Sequence, residues 1–233
     1  MKQGKLFSYK DSMLDLVKED FNILPILSRF GVPLGFGGGS IEEICLEKNI
    51  NVEIFLLIVN YILNRKINYR EASLEKTVGI VDFLHNSHDY FLDYKFPHIR
   101  ENLLKALDEN HEEINPSIIN FFDSYVDEVR KHFKHEENHL FPYIRRFGQE
   151  VTDYSIDVFS KQHDKVGEKL SDLKNIILRY YRTSKPNRMY DALVDIFNCE
   201  EDLNTHTDIE DNILVPMMRQ LEKESGNIHK DRK

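Results

Sequence analysis

Apolar residues recur at intervals of three and four along most of the chain, which is the spacing of one face of an α-helix. No convincing alternation of apolar and polar residues, the pattern of a half-buried strand, interrupts them. After residue 73 the pattern forms four long stretches, at about 74–111, 115–148, 152–182 and 187–222. Because the connections are short, consecutive helices should be antiparallel neighbours. The pattern therefore predicts an all-α, up-down-up-down four-helix bundle.

Three shorter helical patterns precede the bundle. Met13 to Phe30 carries apolar residues at helical spacing, Ser40 with Glu43 forms a capping box that opens a second helix, and Asn51 caps a third. A polar stretch then separates these patterns from the bundle. We therefore predict a small helical N-terminal domain at 1–70, the bundle at 71–225 and a polar tail at 226–233.

Composition narrows the classes of function. The 233 residues carry a formal net charge of −9, which disfavours non-specific binding to nucleic acid. The N-terminus lacks a signal-peptide apolar stretch, and the longest apolar run, Ile54 to Val59, is too short to span a bilayer. The two cysteines, Cys45 and Cys199, have no metal-site spacing. We expect a cytoplasmic protein that binds neither membrane nor nucleic acid.

One phrase occurs twice in the chain. "HFKHEENHLFP" begins at His132 and "HTDIEDNILVP" begins at His206, and both place Glu four residues after His, then Asn, Leu and Pro at matching positions. Residues four apart share one face of a helix, so His132 and Glu136 can reach the same point in the interior. His206 and Glu210 can do the same. Charges inside a bundle are costly unless a bound cation compensates them.

The other two bundle helices each supply one further histidine. His88 lies 44 residues before His132, and His163 lies 43 residues before His206. Aspartate follows each of these two histidines. The bundle thus consists of two similar hairpins that together offer four imidazoles and two carboxylates. This set suits two cations that share bridging carboxylates, roughly 3.5–4 Å apart, and the ligand types fit iron, manganese or zinc.

At this level of detail the chain resembles a known family. "HFKHEENHLFP" and "QHDKVGE" are similar to motifs of hemerythrin-like, HHE cation-binding domains, and more closely to those of the di-iron repair-of-iron-centres proteins. The similarity spans residues 74–222. It implies two iron ions with an oxo or hydroxo bridge, and bridging roles for Glu136 and Glu210. The implied metal ligands are His88, His132, Glu136, His163, His206 and Glu210.

The chain departs from the family pattern at two places. Oxygen-carrying hemerythrins have a further histidine four residues after the third-helix ligand, where this chain has Gly167, so the resemblance implies an open position on one iron. The repair proteins carry a cysteine pair in their N-terminal domain, where this chain has Gly35 and Phe36 within "GVPLGFGGGS". We expect the N-terminal fold to persist without that thiol chemistry, since only Cys45 remains nearby in sequence.

Some assignments stay open. His85 lies on the same face as His88, and the proline spacing of the family would place Asp89 in register, because Pro97 comes one residue late. We choose His88 because its His-Asp context matches that of His163, and a helical bulge near Pro97 could absorb the extra residue. His139, seven residues after His132, should also face inward, as a core or ligand-supporting residue. Pro142 and Pro216 should kink their helices.

The leading functional hypothesis is a di-iron protein of the nitrosative and oxidative stress response. It would aid repair of iron–sulfur clusters by donating iron or by reducing nitric oxide, with an iron–sulfur client protein and an electron donor as partners. The alternative is a non-enzymatic module that binds or senses oxygen, nitric oxide or iron. A third possibility is a bundle in which a redox-inert metal such as zinc joins the helices. Whether the protein is an enzyme stays open.

Overall fold

The computed structural model describes residues 5–66, 71–149, 154–162 and 168–230. Within these ranges the regular secondary structure is helical, and the extended pairing is limited to one isolated bridge between Ser12 and Ser40. The predicted all-α class, a helical bundle preceded by a helical N-terminal region, is confirmed.

Contacts within the chain divide it into two compact units. The first comprises Met1–Asn86, Tyr143–Asp157 and Ile209–Lys233, and the second comprises Ser87–Pro142 and Val158–Asp208. The boundary near residue 209 lies inside one continuous helical run. The domain boundary predicted at residue 70 lies within 67–70, outside the described residues, and stays a prediction.

The first unit opens with four helices. They are α1 (Met13–Glu19), α2 (Ile23–Arg29), α3 (Ile41–Glu47) and α4 (Val52–Asn64). The capping box of α3 is present, because the Ser40 hydroxyl accepts the N–H of Glu43 and the Glu43 carboxylate accepts the N–H of Ser40. The Asn51 side chain caps α4 by accepting the N–H of Glu53 and Ile54. Both predicted caps are confirmed.

The single helical pattern predicted at Met13 to Phe30 is wrong, because the structure divides it into α1 and α2. The Asp20 carboxylate accepts the N–H of Asn22 at 2.9 Å, which closes a local turn between the two helices. Pro25 supplies the second reason. In one continuous helix it would remove an interior hydrogen bond, whereas in α2 it lies in the first turn, where no N–H is needed.

The bundle helices contain three short π-helical segments. In chain order the elements are α5 (Leu74–Asp89), a π segment (Tyr90–Lys95), α6 (Phe96–Ala106), a 3₁₀ turn (Glu109–His111), α7 (Asn115–His135), a π segment (Glu136–Leu140), α8 (Phe141–Arg145), α9 (Ile156–Gln162), α10 (Glu168–Tyr180), α11 (Pro186–Ile209), a π segment (Glu210–Leu214) and α12 (Val215–Lys230). These elements occupy the four long stretches predicted from sequence, except that α12 continues to Lys230, past the predicted end near 222. Within the third stretch, 163–167 lies outside the described residues, as do its predicted start residues Thr152 and Asp153.

Asn115 does not cap α7 as predicted. It is the first helical residue, and Ile114 takes the cap position without a side-chain hydrogen bond. The Asn115 side chain instead donates to the carbonyl of Asp108 at 2.8 Å and accepts the hydroxyl of Tyr181 at 2.7 Å. These longer-range bonds satisfy the amide in place of the capping bond.

Each π segment precedes a proline. Pro97, Pro142 and Pro216 each lie two residues after the end of a π segment. The residue before each proline donates its N–H to the carbonyl five residues back, from Phe96 to Phe91 in the first case. The wider turn accommodates a residue that has no N–H and whose ring crowds the preceding turn. The helices therefore continue through these prolines, and the bulge predicted near Pro97 is present.

The second unit has its own apolar core. Phe122 and Val129 of α7 are fully buried, and so are Leu173 of α10 and Ile196 of α11. Fully burying a side chain of this size stabilises a fold by about 1.5–3 kcal/mol. The core thus fixes the helices of this unit relative to one another. Within the described ranges, every helix is too short or too polar to cross a membrane.

Candidate metal centre

Four polar side chains meet in the interior. His88, Glu136, His206 and Glu210 are all buried, and one potential ligand atom of each lies within 4.8 Å of those of the other three. His88 lies at the end of α5 and His206 near the end of α11. Glu136 and Glu210 are each the first residue of a π segment. Equivalent positions of the repeated phrase therefore supply the two carboxylates.

Glu136 contacts two imidazoles with its two oxygens. Its Oε2 lies 3.2 Å from Nε2 of His88, and its Oε1 lies 2.9 Å from Nε2 of His132. The second contact spans four residues along the helix, as the repeated phrase predicts. Glu136 therefore directs one oxygen toward each of two imidazoles.

Aromatic rings enclose the histidines. The ring of Phe133 stacks on His88 with centroids 3.9 Å apart and planes 8° apart, and Phe141 stacks at 5.3 Å. Phe91 meets His206 edge to face at 6.1 Å. These contacts restrict the orientation of the imidazoles and exclude water from around them. They also lower the local polarity, which strengthens electrostatic interactions within the cluster.

The composition of the cluster fits a bound cation. Glu136 and Glu210 are both 0% exposed. Two ionised carboxylates this close repel each other, and neither is solvated, so the arrangement is unfavourable without compensating positive charge. Imidazole nitrogens and carboxylate oxygens are the donor set of iron, manganese and zinc sites.

Comparison with known families decides the identity of the bundle. Residues 79–218 match the family described as hemerythrin HHE cation binding domain, which covers more than half of the chain. The chain belongs to this family. Among curated proteins, none matches the sequence significantly. The HHE domain is thus a metal-binding domain, and the buried cluster of histidine and glutamate is its candidate site.

The structure places the six predicted HHE ligands as follows. Four of them, His88, Glu136, His206 and Glu210, form the buried cluster. His132 contacts Glu136 from its other side and is 15% exposed. His163 lies outside the described residues, as does Gly167. The role of these residues as metal ligands stays a prediction.

The alternatives for the first helix have different positions. His88 is fully buried beside Glu136, whereas His85 and Asp89 are exposed. The preference for His88 rested on a neighbouring aspartate, but the structure provides a better criterion. Only His88, of these three, belongs to the buried cluster among the described residues.

The prediction that His139 faces inward is wrong. His139 is exposed, and its Nδ1 lies 3.0 Å from the carbonyl of His135. The expectation assumed that seven residues complete two α-helical turns. The π segment Glu136–Leu140 inserts an extra residue into this interval, so the inward position moves by one. Leu140, which is fully buried, occupies it.

Sequence reasoning missed Glu137. Its Oε1 lies 2.8 Å from Nδ1 of His88, on the opposite side of the ring from Glu136. The only signal in the sequence was the pair of adjacent acids, Glu136 and Glu137, which in a regular helix point about 100° apart. Nothing in that pattern indicates that both reach one imidazole.

Proposed function

We propose that this HHE domain holds two iron ions and acts in the response to nitrosative and oxidative stress. In this proposal it aids repair of iron–sulfur clusters by donating iron or by reducing nitric oxide. The observation that carries the two-ion reading is Glu136, whose oxygens approach His88 at 3.2 Å and His132 at 2.9 Å. Membership of a cation-binding family supports the metal itself.

The histidine and glutamate side chains would have different roles in holding the metal. His88, His132, His163 and His206 would supply neutral nitrogen ligands, and Glu136 and Glu210 would bridge and neutralise the positive charge. Iron, when bound, supplies redox electrons and a coordination position for a diatomic gas. Phe133, stacked on His88, would exclude water from this region. The net charge of −9 supports partners with basic surfaces, either an electron donor or a client protein.

One observation favours the alternative, a module that binds or senses oxygen, nitric oxide or iron without turnover. Cys45 is fully buried, and burial raises the pKa of its thiol to about 12. A protonated, enclosed thiol is a poor nucleophile and a poor redox group. Cys199, the second cysteine, is buried as well. Neither cysteine of the chain is therefore suited to pass electrons to a metal, which favours binding over turnover.

A metal count with an absorption spectrum tests the proposal first. We expect two iron ions per chain after anaerobic purification, with visible absorption that changes upon oxidation. One ion per chain, or only zinc with a featureless visible spectrum, would contradict the di-iron proposal. The zinc result would support a structural metal that joins the helices.

A second measurement separates turnover from binding. An electrode records the loss of nitric oxide after the iron-loaded protein and a reductant are added. In parallel, with inorganic sulfide and a reductant supplied, iron transfer to an apo iron–sulfur protein is followed by recovery of that protein's activity. We expect either that nitric oxide is consumed over many turnovers, or that the iron transferred to the apo protein equals the iron content of the donor. If neither occurs while nitric oxide still binds, the sensing alternative is the better description.

A further inference from the structure

His88 lies between two successive glutamates. Its Nε2 is 3.2 Å from Oε2 of Glu136, and its Nδ1 is 2.8 Å from Oε1 of Glu137. The imidazole itself is fully buried, with Phe133 stacked on one of its faces. Both ring nitrogens therefore face carboxylates, but these two carboxylates lie in different surroundings. The Glu136 side chain is 1% exposed, whereas the Glu137 side chain is 35% exposed.

The backbone explains how neighbouring residues reach one ring. In a regular α-helix the side chains of residues 136 and 137 would diverge by about 100°. Here the π segment Glu136–Leu140 begins at the first of them, and its wider turn changes the direction of the side chains. The same segment accommodates Pro142. Glu136 and Glu137, both within this segment, contact opposite nitrogens of one ring.

The chemistry of a metal-binding imidazole gives this contact a role. Such a ring must be neutral, with one nitrogen lone pair directed at the cation and a proton on the other nitrogen. The second nitrogen commonly donates that proton to a carboxylate, which fixes the tautomer, orients the ring and makes the ligand nitrogen more basic. At His88, Nε2 faces the buried cluster and Nδ1 faces Glu137, so the required division is already present.

We propose that Glu137 is a positioning residue, which accepts the Nδ1 proton of His88 and so directs the lone pair of Nε2 into the cation site. This inference rests on the proposed metal site, although the contact between Glu137 and His88 exists without it. Glu137 would not touch the cation. It would set the affinity of the site through the tautomer and the orientation of His88.

The test uses three variants of the full chain. Glu137→Ala removes the acceptor, Glu137→Gln keeps a neutral acceptor of similar shape, and Glu128→Ala removes an exposed glutamate of α7 that pairs with Lys169, away from the cluster. Affinity for ferrous ion is measured under anaerobic conditions by competition with a chelator. We expect Glu137→Ala to lose about 10–100-fold in affinity. Glu137→Gln should lose less, and Glu128→Ala should match the wild type.

A spectroscopic measurement on the metal-free protein gives an independent answer. Nitrogen-15 NMR of the histidine rings, recorded where the spectrum shows a neutral His88 ring, reports which nitrogen of His88 carries the proton. The wild type should show the Nδ1–H tautomer, and Glu137→Ala should shift the population toward Nε2–H. A change in fold alone would not produce this selective shift at His88.

The two readouts distinguish the possible failures. If Glu137→Ala binds ferrous ion as tightly as the wild type, or if the tautomer of His88 does not change, the inference is wrong while the metal site stands. If the wild type binds no cation, the proposed function is wrong. The tautomer measurement then still decides whether Glu137 positions the ring.

Discussion

The two copies of the repeated phrase, 132–142 and 206–216, share a backbone but not an environment. Each has histidine in the α-helix, glutamate at the start of a π segment, and proline two residues after its end. In the first copy His132 is 15% exposed, and Glu137 reaches from the partly exposed surface to a buried ring. In the second copy His206 is 1% exposed, and its neighbour Thr207 is buried as well.

Positions that are identical in the two copies therefore have a different role from positions that differ between them. The matching residues form the same local motif in both copies, a histidine and a carboxylate on a helix that contains a π turn before a proline. The residues that differ between the copies determine which side chains surround this motif. Phe133 of the first copy stacks on His88, whereas the second copy has Thr207 at the equivalent place. The exposure of the two histidines differs in the other direction, 15% for His132 and 1% for His206, so we infer that water reaches His132 more easily than His206.

Removal of either proposed bridging carboxylate should have the largest effect. Glu136→Ala and Glu210→Ala should each lower the metal content of both positions, because a bridging carboxylate contributes to two ions. Elemental analysis of purified protein measures this, with Glu101→Ala as the control, since Glu101 is an exposed residue paired with Lys105. Loss of one ion only, in either variant, would indicate two separate mononuclear sites instead of a shared one.

Acidification should release the two ions at different pH values. Metal-bound imidazoles are neutral, and protons compete with the metal as the pH falls below the free histidine value of about 6.5. His132 is 15% exposed and His206 is 1% exposed, so solvent reaches the ion that His132 would bind more easily, and that ion should leave before the other. Dialysis at stepped pH values followed by metal analysis should show two release steps. A single step that removes both ions would show that the copies do not differ in proton access.

Stability should depend more on Phe133 than on its counterpart. Phe133→Ala removes a buried ring that packs against His88, and comparable truncations cost about 3–5 kcal/mol. Thr207→Ala should cost about 1 kcal/mol, which is typical of a modest buried truncation. Urea denaturation of the metal-free variants compares the two free energies of unfolding. Equal losses would mean that the stacked ring contributes no more than the threonine.

Much of this arrangement could be predicted from the sequence, because helical periodicity and the repeated phrase are local signals. The spacing of His132 and Glu136 sufficed to predict their contact, and the repeated phrase with its matched intervals predicted that the two hairpins share one site. Periodicity reading, however, assumes a constant rotation per residue. The π segments violate that assumption, and for this reason the periodicity places His139 in the interior, where the structure has Leu140. The sequence does contain a signal for each π segment, namely the proline that ends each copy of the phrase. That proline predicts a kink, but it does not by itself predict a π turn.

The smallest predicted effect concerns an asparagine that both copies share. Asn212 donates to the hydroxyl of Tyr61 at 2.9 Å, whereas Asn138, the equivalent residue of the first copy, is exposed. A partly buried hydrogen bond contributes about 0.5–1.5 kcal/mol, so Asn212→Ala should destabilise the protein by about that amount. Asn138→Ala should leave the free energy of unfolding unchanged within about 0.5 kcal/mol. Paired urea titrations measure the difference. If both variants lose the same stability, the asparagine serves the π turn itself. A loss confined to Asn212→Ala would show that one residue type, at one position of a repeated backbone, is used only where a partner is within reach.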